Sequence, residues 1–225
     1  IPDNTDIKEA SFTVLGSIAL HGLRLSETSL GSKVVVIGLG IIGQLVCRLA
    51  EAQGSEVIGI DPDTKRTDLS TNFYTSVEEA NMTNVDSVII TAATSSNEPI
   101  EVATKIARNK AKIVVVGDIP LNISRNDFYY KELELVVSKS YGPGRYDKQY
   151  EILGKDYPIE YVRWTENRNF EAFIKLLSQN QIHLLDLVTE EVSFENAPSV
   201  YKKFSGEDKL LSVVLRYDNK SEPKI

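Results

Sequence analysis

KVVVIGLGIIGQLVCRLAEAQGSEVIGIDPD, Lys33 to Asp63, decides the fold of this 225-residue chain. VVVIG (Val34 to Gly38) is apolar on both faces and reads as a buried strand. GLGIIG, Gly38 to Gly43, matches G-x-G-x-x-G. IIGQLVCRLAEAQ (Ile41 to Gln53) reads as a helix ended by Gly54, and EVIGID (Glu56 to Asp61) as a second strand closing on an acid. In such a turn the first glycine permits the bend, the second lets backbone approach a pyrophosphate, and the third lets helix pack on strand. The helix start turns N–H groups and a partial positive charge toward that phosphate. Asp61 stands where a carboxylate binds both hydroxyls of an adenosine ribose. The glycine pattern alone is weak, but strand, turn, helix, strand and acid in this order are specific. The alternative, glycines that only shape a turn and an Asp61 that only caps the next helix, stays open.

The same alternation continues outward. Ala10 to Leu25 has apolar residues at helical spacing, and FYTS around Phe73 is a weak strand followed by a short helix near Glu78. Asp86 to Ala92 is a strand, Glu98 to Asn109 a helix, Lys112 to Gly117 a strand, and Glu132 to Ser140 closes the series. Apolar strands separated by helices indicate a doubly wound parallel α/β sheet covered on both sides. Tyr141 to Arg163 is aperiodic and dense in Tyr, Gly and Pro; its Lys, Arg and Tyr side chains suit a polar pocket or an interface equally. A helix (Asn167 to Leu177, capped by Asn167 or Asn169), a strand (Leu184 to Phe194), a helix (Glu195 to Phe204) and a last strand (Lys209 to Asp218) follow.

Composition narrows the function. A net charge of −7 argues against binding a nucleic-acid backbone, and no apolar run is long enough to span a membrane. No basic-plus-apolar leader opens the chain; it starts at Ile1 and reads as part of something longer. One cysteine, Cys47, excludes an internal disulfide and fits a reducing, cytoplasmic setting. With two histidines beside it, no all-protein zinc site of the Cys/His kind is expected. His21, His183 and Cys47 read as structural residues, so no catalytic group is assigned. Asp61 would repel a 2′-phosphate, which favours NAD over NADP; Lys65 and Arg66 temper that preference. Small residues at Thr91-Ala92-Ala93 and Val116-Gly117-Asp118, at strand ends, suit close passage of ribose and nicotinamide.

Over nearly its whole length the chain resembles the cofactor-binding part of the medium-chain (zinc-type) alcohol dehydrogenases, a Rossmann fold. IPDNTDIKEASFTVLGSIALHGLRL resembles the family's entry into that part, and GLGIIG, EVIGIDPDTKR, KIVVVGDIP and YYKELELVVS follow in the family's order. FENAPSVYKKF and KLLSVVLRY resemble its return toward a catalytic domain. SYGPGRYDKQYEILGKDYPIEYVRWTENRN resembles bacterial two-part dehydrogenases fused to a glucose-fructose- or inositol-oxidoreductase-like module, assigned to saccharide metabolism.

The resemblance implies pyrophosphate contacts at Gly38, Gly40, Ile41, Ile42 and Gly43. It implies ribose contacts at Asp61 and Arg66, and a path to nicotinamide along Thr91, Ala92, Val116 and Gly117. It divides the chain into a lead-in (1–30), a dinucleotide domain (31–166) and a returning segment (167–225), the terminal segments packing on a catalytic domain outside this sequence. The family's remaining zinc ligand would fall near Ser11 to Val14, where there is no Cys or His, so no zinc is expected in this chain. The implied activity is hydride transfer between NAD and an alcohol or ketone carbon of a sugar or polyol, with this segment inactive alone. A homodimer through the edge near 132–140 is implied as well. Two other readings stay open: a non-catalytic NAD-sensing module, and a methyltransferase using S-adenosylmethionine.

Overall fold

The computed structural model describes residues 1–70, 72–204 and 210–217. Six strands form one sheet: β1 (Lys33–Ile37), β2 (Glu56–Ile60), β3 (Phe73–Tyr74), β4 (Val85–Ile90), β5 (Ala107–Val115) and β6 (Glu134–Val137). Their order is β3-β2-β1-β4-β5-β6 and every pairing is parallel. The helices are α1 (Ile7–Ala10), α2 (Thr13–Leu25), α3 (Ile41–Ala52), α4 (Thr64–Thr67), α5 (Val77–Ala80), α6 (Glu98–Ile106), α7 (Arg125–Tyr129), α8 (Lys148–Glu151), α9 (Glu166–Ser178) and α10 (Ala197–Phe204). Strands β7 (Glu190–Ser193) and β8 (Val213–Arg216) make a separate parallel pair. The expected doubly wound α/β fold is the observed one.

Alternation along β1 explains the layering. Side chains of successive strand residues point to opposite faces. Val34 and Val36 pack with Leu45 and Leu49 of α3, Leu20 and Leu23 of α2, and Phe173 and Leu177 of α9. Val35 and Ile37 join the opposite core, with Val88, Ile90, Ile100 and Ile106. Both faces are covered, so the central strands carry almost no polar side chains. Helix α2 approaches α9 closely because Gly16 has no side chain: a methyl there would meet the Phe173 ring at 2.2 Å.

Element boundaries depart from the sequence reading in several places: Ala10 to Leu25 divides into α1 and α2, β5 starts at Ala107, α10 at Ala197 and β8 at Val213, and four further departures have a local cause. Helix α6 stops at Ile106, three residues before Asn109, because Ala107 turns extended (ψ 136°). Strand β6 is confined to Glu134–Val137 because Glu132 and Ser140 both take positive φ (48°). Helix α9 begins after Thr165, so neither Asn167 nor Asn169 is its N-cap. The Tyr150 hydroxyl does that work, accepting from the Asn167 N–H at 2.9 Å, while buried Asn169 ties Arg24 to the Tyr141 carbonyl. Finally, the strand expected from Leu184 is a 3₁₀ turn at Leu185–Leu187; buried Leu184 and Leu187, three apart, fit three residues per turn.

Lys131 shows how the sheet edge is tied down. Its ammonium donates to the carbonyls of Thr104, Lys105 and Ala107 at 2.7, 2.9 and 2.8 Å. These are the orphan acceptors at the end of α6, which a cation also favours through the helix dipole. Lys131→Met should therefore destabilise the chain by about 1–3 kcal/mol, measured by urea unfolding; a change under about 0.5 kcal/mol would show the cap to be solvated equally well by water.

Candidate functional site: a glycine turn at the sheet reversal

Strand order reverses at β1, with β2 and β3 to one side and β4 to β6 to the other. In such sheets the crevice outside the carboxyl ends, at the reversal, is where ligands lie. The Gly38–Gly43 turn occupies that position, between β1 and α3.

The three glycines have different reasons to be glycine. Gly38 has φ +97°, and a methyl there would come within 2.6 Å of the Ala92 amide nitrogen. At Gly43 a methyl would come within 1.9 Å of the Gly38 carbonyl oxygen, so α3 could not sit down on the turn. Gly40 differs. Its φ is −62° and its ψ −178°, a conformation open to any residue, and a methyl there would meet nothing within 4 Å. Nothing inside the chain requires glycine at 40. Its lack of a side chain leaves the backbone there open to close approach from outside. No side chain caps α3, so its first N–H groups are aimed at the same open space.

The strand ends beside the turn are close-packed. Thr91 and Ala92 both donate their amides to the Ile37 carbonyl, at 2.8 and 3.1 Å, and the Thr91 hydroxyl donates to the Gly38 carbonyl. A methyl on Gly117 would lie 2.0 Å from the Ala92 carbonyl oxygen. Thus Thr91, Ala92 and Gly117 shape the turn from behind, and their small size has a packing cause. Val116 presses against Gly22 of α2, where a methyl would meet its side chain at 2.6 Å. Ile41 and Ile42, both half-buried, sit on the first turn of α3.

Asp61, 3% exposed, braces the turn. Its Oδ2 accepts from the Leu39 amide at 2.7 Å and from Arg66 Nη1 at 3.0 Å; its Oδ1 accepts from the Asp63 amide at 2.9 Å. Helix α4 is capped by Asp63, not Asp61. A carboxylate has about four acceptor positions, so with Arg66 in place one remains on Oδ1. The expectation that Asp61 binds both ribose hydroxyls thus requires Arg66 to swing away. The Leu39 contact was invisible in the sequence, since a backbone amide leaves no residue signature.

Two depressions flank the crevice. Ser11, Phe12, Leu15, Ile41, Leu211 and Val213 line a cavity of about 310 Å³ at the start of α3. His21, Lys139, Arg145, Tyr146, Asp147 and Tyr157 line one of about 530 Å³ beyond β6. The Tyr-rich loop thus lines an open depression. His21 stands against Gly142, and burial, then Arg24, lowers its pKa. His183 is exposed, and burial pushes the Cys47 thiol well up, which keeps that thiol protonated. Among the described residues no group of three or more His, Cys, Asp or Glu is placed to hold a metal, and Ser11 to Val14 offer none of the usual zinc ligands. Among the same residues no helix is long and apolar enough to cross a membrane.

Residues 17–127, from within α2 to within α7, match the family described as D-isomer specific 2-hydroxyacid dehydrogenase, NAD binding domain. The chain is 26% identical over 168 residues to the 2-dehydro-3-deoxy-L-galactonate 5-dehydrogenase of Pseudoalteromonas atlantica, covering 68% of this chain and 49% of that protein. It is 25% identical over 224 residues to the D-guloside 3-dehydrogenase of Escherichia coli K12, covering 91% and 59%. It therefore spans about half to three-fifths of the length of these relatives. A Sinorhizobium meliloti 1021 protein described as a zinc-binding dehydrogenase, solved with NADP, superposes with a TM-score of 0.72 at 21% identity, covering 96% of this chain and 61% of that one. Such a superposition shows the fold alone, a Rossmann-like α/β fold with a parallel sheet.

Proposed function

We propose that the chain is the NAD-binding part of an oxidoreductase that moves a hydride between nicotinamide and an alcohol or ketone carbon of a sugar or polyol. The observation carrying this is Gly40, a glycine with no internal cause, facing open space at the uncapped start of α3. The matched NAD-binding family and the two sugar dehydrogenases support it. Gly38, Gly40, Ile41, Ile42 and Gly43 would seat the pyrophosphate, and Asp61, with Arg66 moved aside, the adenosine ribose. The nicotinamide end would pass Thr91, Ala92, Val116 and Gly117 toward the apolar cavity beside Ile41. When bound, the nicotinamide supplies the hydride chemistry; these residues bind it, orient it and hold water off one face. The groups that handle the substrate's proton belong, in this reading, to a catalytic part outside residues 1–225, on which residues 1–30 and 167–225 would pack. A glucose-fructose-oxidoreductase-like module in the same polypeptide, and pairing of two copies through β6, belong to the same proposal.

NAD is preferred to NADP because the Asp61 carboxylate would face a 2′-phosphate. Arg66, shared between Asp61 and Asp63 at 3.0 and 3.6 Å, offsets part of that repulsion. Asp61→Ala leaves the Leu39 amide without its acceptor and Arg66 paired with Asp63 alone. It should weaken NADH binding about 10- to 100-fold, the loss of charge-assisted bonds, and bring NADPH to equal or better affinity. Thermal shift with NAD, NADP and S-adenosylmethionine tests the class directly, since a ligand of the folded state raises its melting point. Stabilisation by S-adenosylmethionine alone would overturn the dehydrogenase reading.

A further inference from the structure

Arg145 lines a second cavity besides the His21 depression, one of about 500 Å³ shared with Tyr150, Asp156, Glu166, Asn167 and Phe170. No residue of the glycine turn takes part in it. Glu166 opens α9, where its amide donates to the Pro143 carbonyl at 2.8 Å. Among the described residues nothing donates to either oxygen of its carboxylate, and Oε2 is fully buried. Arg145 gives Nη1 to Glu151, which leaves its Nε–H buried without an acceptor. Asn167 engages only its backbone amide, with the Tyr150 hydroxyl at 2.9 Å, so its exposed carboxamide is unpaired among the described residues.

A buried acceptor and a buried donor left unpaired in the wall of one cavity are costly to the free chain. The two groups are near neighbours: burial and then Glu151 raise the pKa of Glu166, and Arg145 lowers it. The other acids of the wall are satisfied, Glu151 by Arg145, and Asp156 by Arg168 and the Tyr157 amide. Charge then selects the ligand's chemistry. An ammonium ion would meet the Arg145 guanidinium, and a phosphate or carboxylate would meet Glu151, Asp156 and Glu166. A neutral molecule with adjacent hydroxyls suits both orphans, since one O–H donates to the carboxylate while the next oxygen accepts from the guanidinium. The Asn167 carboxamide offers a further donor and acceptor. Tyr150 and Phe170 add apolar ring surface for the carbon side of a sugar ring.

We propose that the cavity around Glu166, Arg145 and Asn167 binds a neutral sugar or cyclic polyol through a pair of vicinal hydroxyls. The site does not depend on the dinucleotide reading.

Trp164, the chain's one tryptophan, stands two residues before Glu166, so its emission reads this site. D-Glucose, D-mannose, D-galactose and myo-inositol present vicinal hydroxyls in cis and trans arrangements. Each is titrated below about 50 mM, where exclusion of sugar from the protein surface stabilises little. At least one should change the emission saturably and raise the melting temperature. Glu166→Gln should weaken that sugar about tenfold, the loss of a charge-assisted bond. Its melting temperature without sugar should be no lower than the parent's, and its NADH affinity parental. Asn167→Ala, a change at an exposed side chain, should weaken the sugar about threefold. No saturable response to any of the four sugars, or equal responses in the parent and both variants, would overturn the site. Methylammonium chloride binding more tightly than the sugars, and losing its hold in Glu166→Gln, would make this a cation site and overturn the polyol assignment.

Discussion

Gly40→Val is expected to weaken NADH binding by about 10- to 100-fold while moving the melting temperature by only a few degrees. The two effects separate because of where the new side chain goes. Its first carbon meets no atom of the chain within 4 Å, and the backbone there is extended. The cost to folding is the exchange of a tolerated helix cap for a poor one, at most about 1 kcal/mol, or about 2–4 °C in a chain of this size. The cost to binding is the loss of close backbone approach, an overpacking of about 1–3 kcal/mol against the pyrophosphate. Calorimetric titration with NADH beside a melting curve reads both numbers. A variant that binds as the parent does would mean that Gly40 faces only solvent.

Gly43→Ala should do the opposite first. The added methyl would sit 1.9 Å from the Gly38 carbonyl oxygen and 2.8 Å from the Thr91 hydroxyl. Neither partner can yield alone, since the Gly38 carbonyl accepts from Thr91, whose amide is in turn held by the Ile37 carbonyl. Helix α3 must lift from β1, and α3 carries Leu45, Val46, Leu49 and Ala50, all buried. A destabilisation of about 3 kcal/mol is expected, lowering the melting temperature by about 6–12 °C, with NADH binding lost alongside. Unfolding in urea measures it. An unchanged midpoint would show that the turn relaxes without disturbing the core, contrary to its packing.

These paired outcomes show what the sequence can and cannot convey. VVVIG and DSVIITA announce buried parallel strands because they are apolar on both faces; the strand order and its reversal at β1 are not written in that pattern. The glycine spacing announces the turn. It does not distinguish Gly40 from Gly43, since the reason for each lies in atoms distant along the chain, or in none. Asp61 was legible as an acid at a strand end, but its bond to the Leu39 amide was not, because every residue type has that amide. The Tyr150 hydroxyl in the role of a helix cap was equally hidden: the side chain comes from a loop without periodicity. Boundaries failed where one residue reverses the backbone, as at Glu132 and Ser140, whose positive φ no propensity of Glu or Ser foretells.

The central claim is that this chain seats a dinucleotide on the Gly38–Gly43 turn. Titrating the chain with NADH and following nicotinamide fluorescence tests it most directly, with Gly40→Val and Asp61→Ala measured alongside. Saturable binding at one site per chain, weakened in both variants, is expected. Absence of saturable binding below millimolar NADH, or parental affinity in both variants, would contradict it.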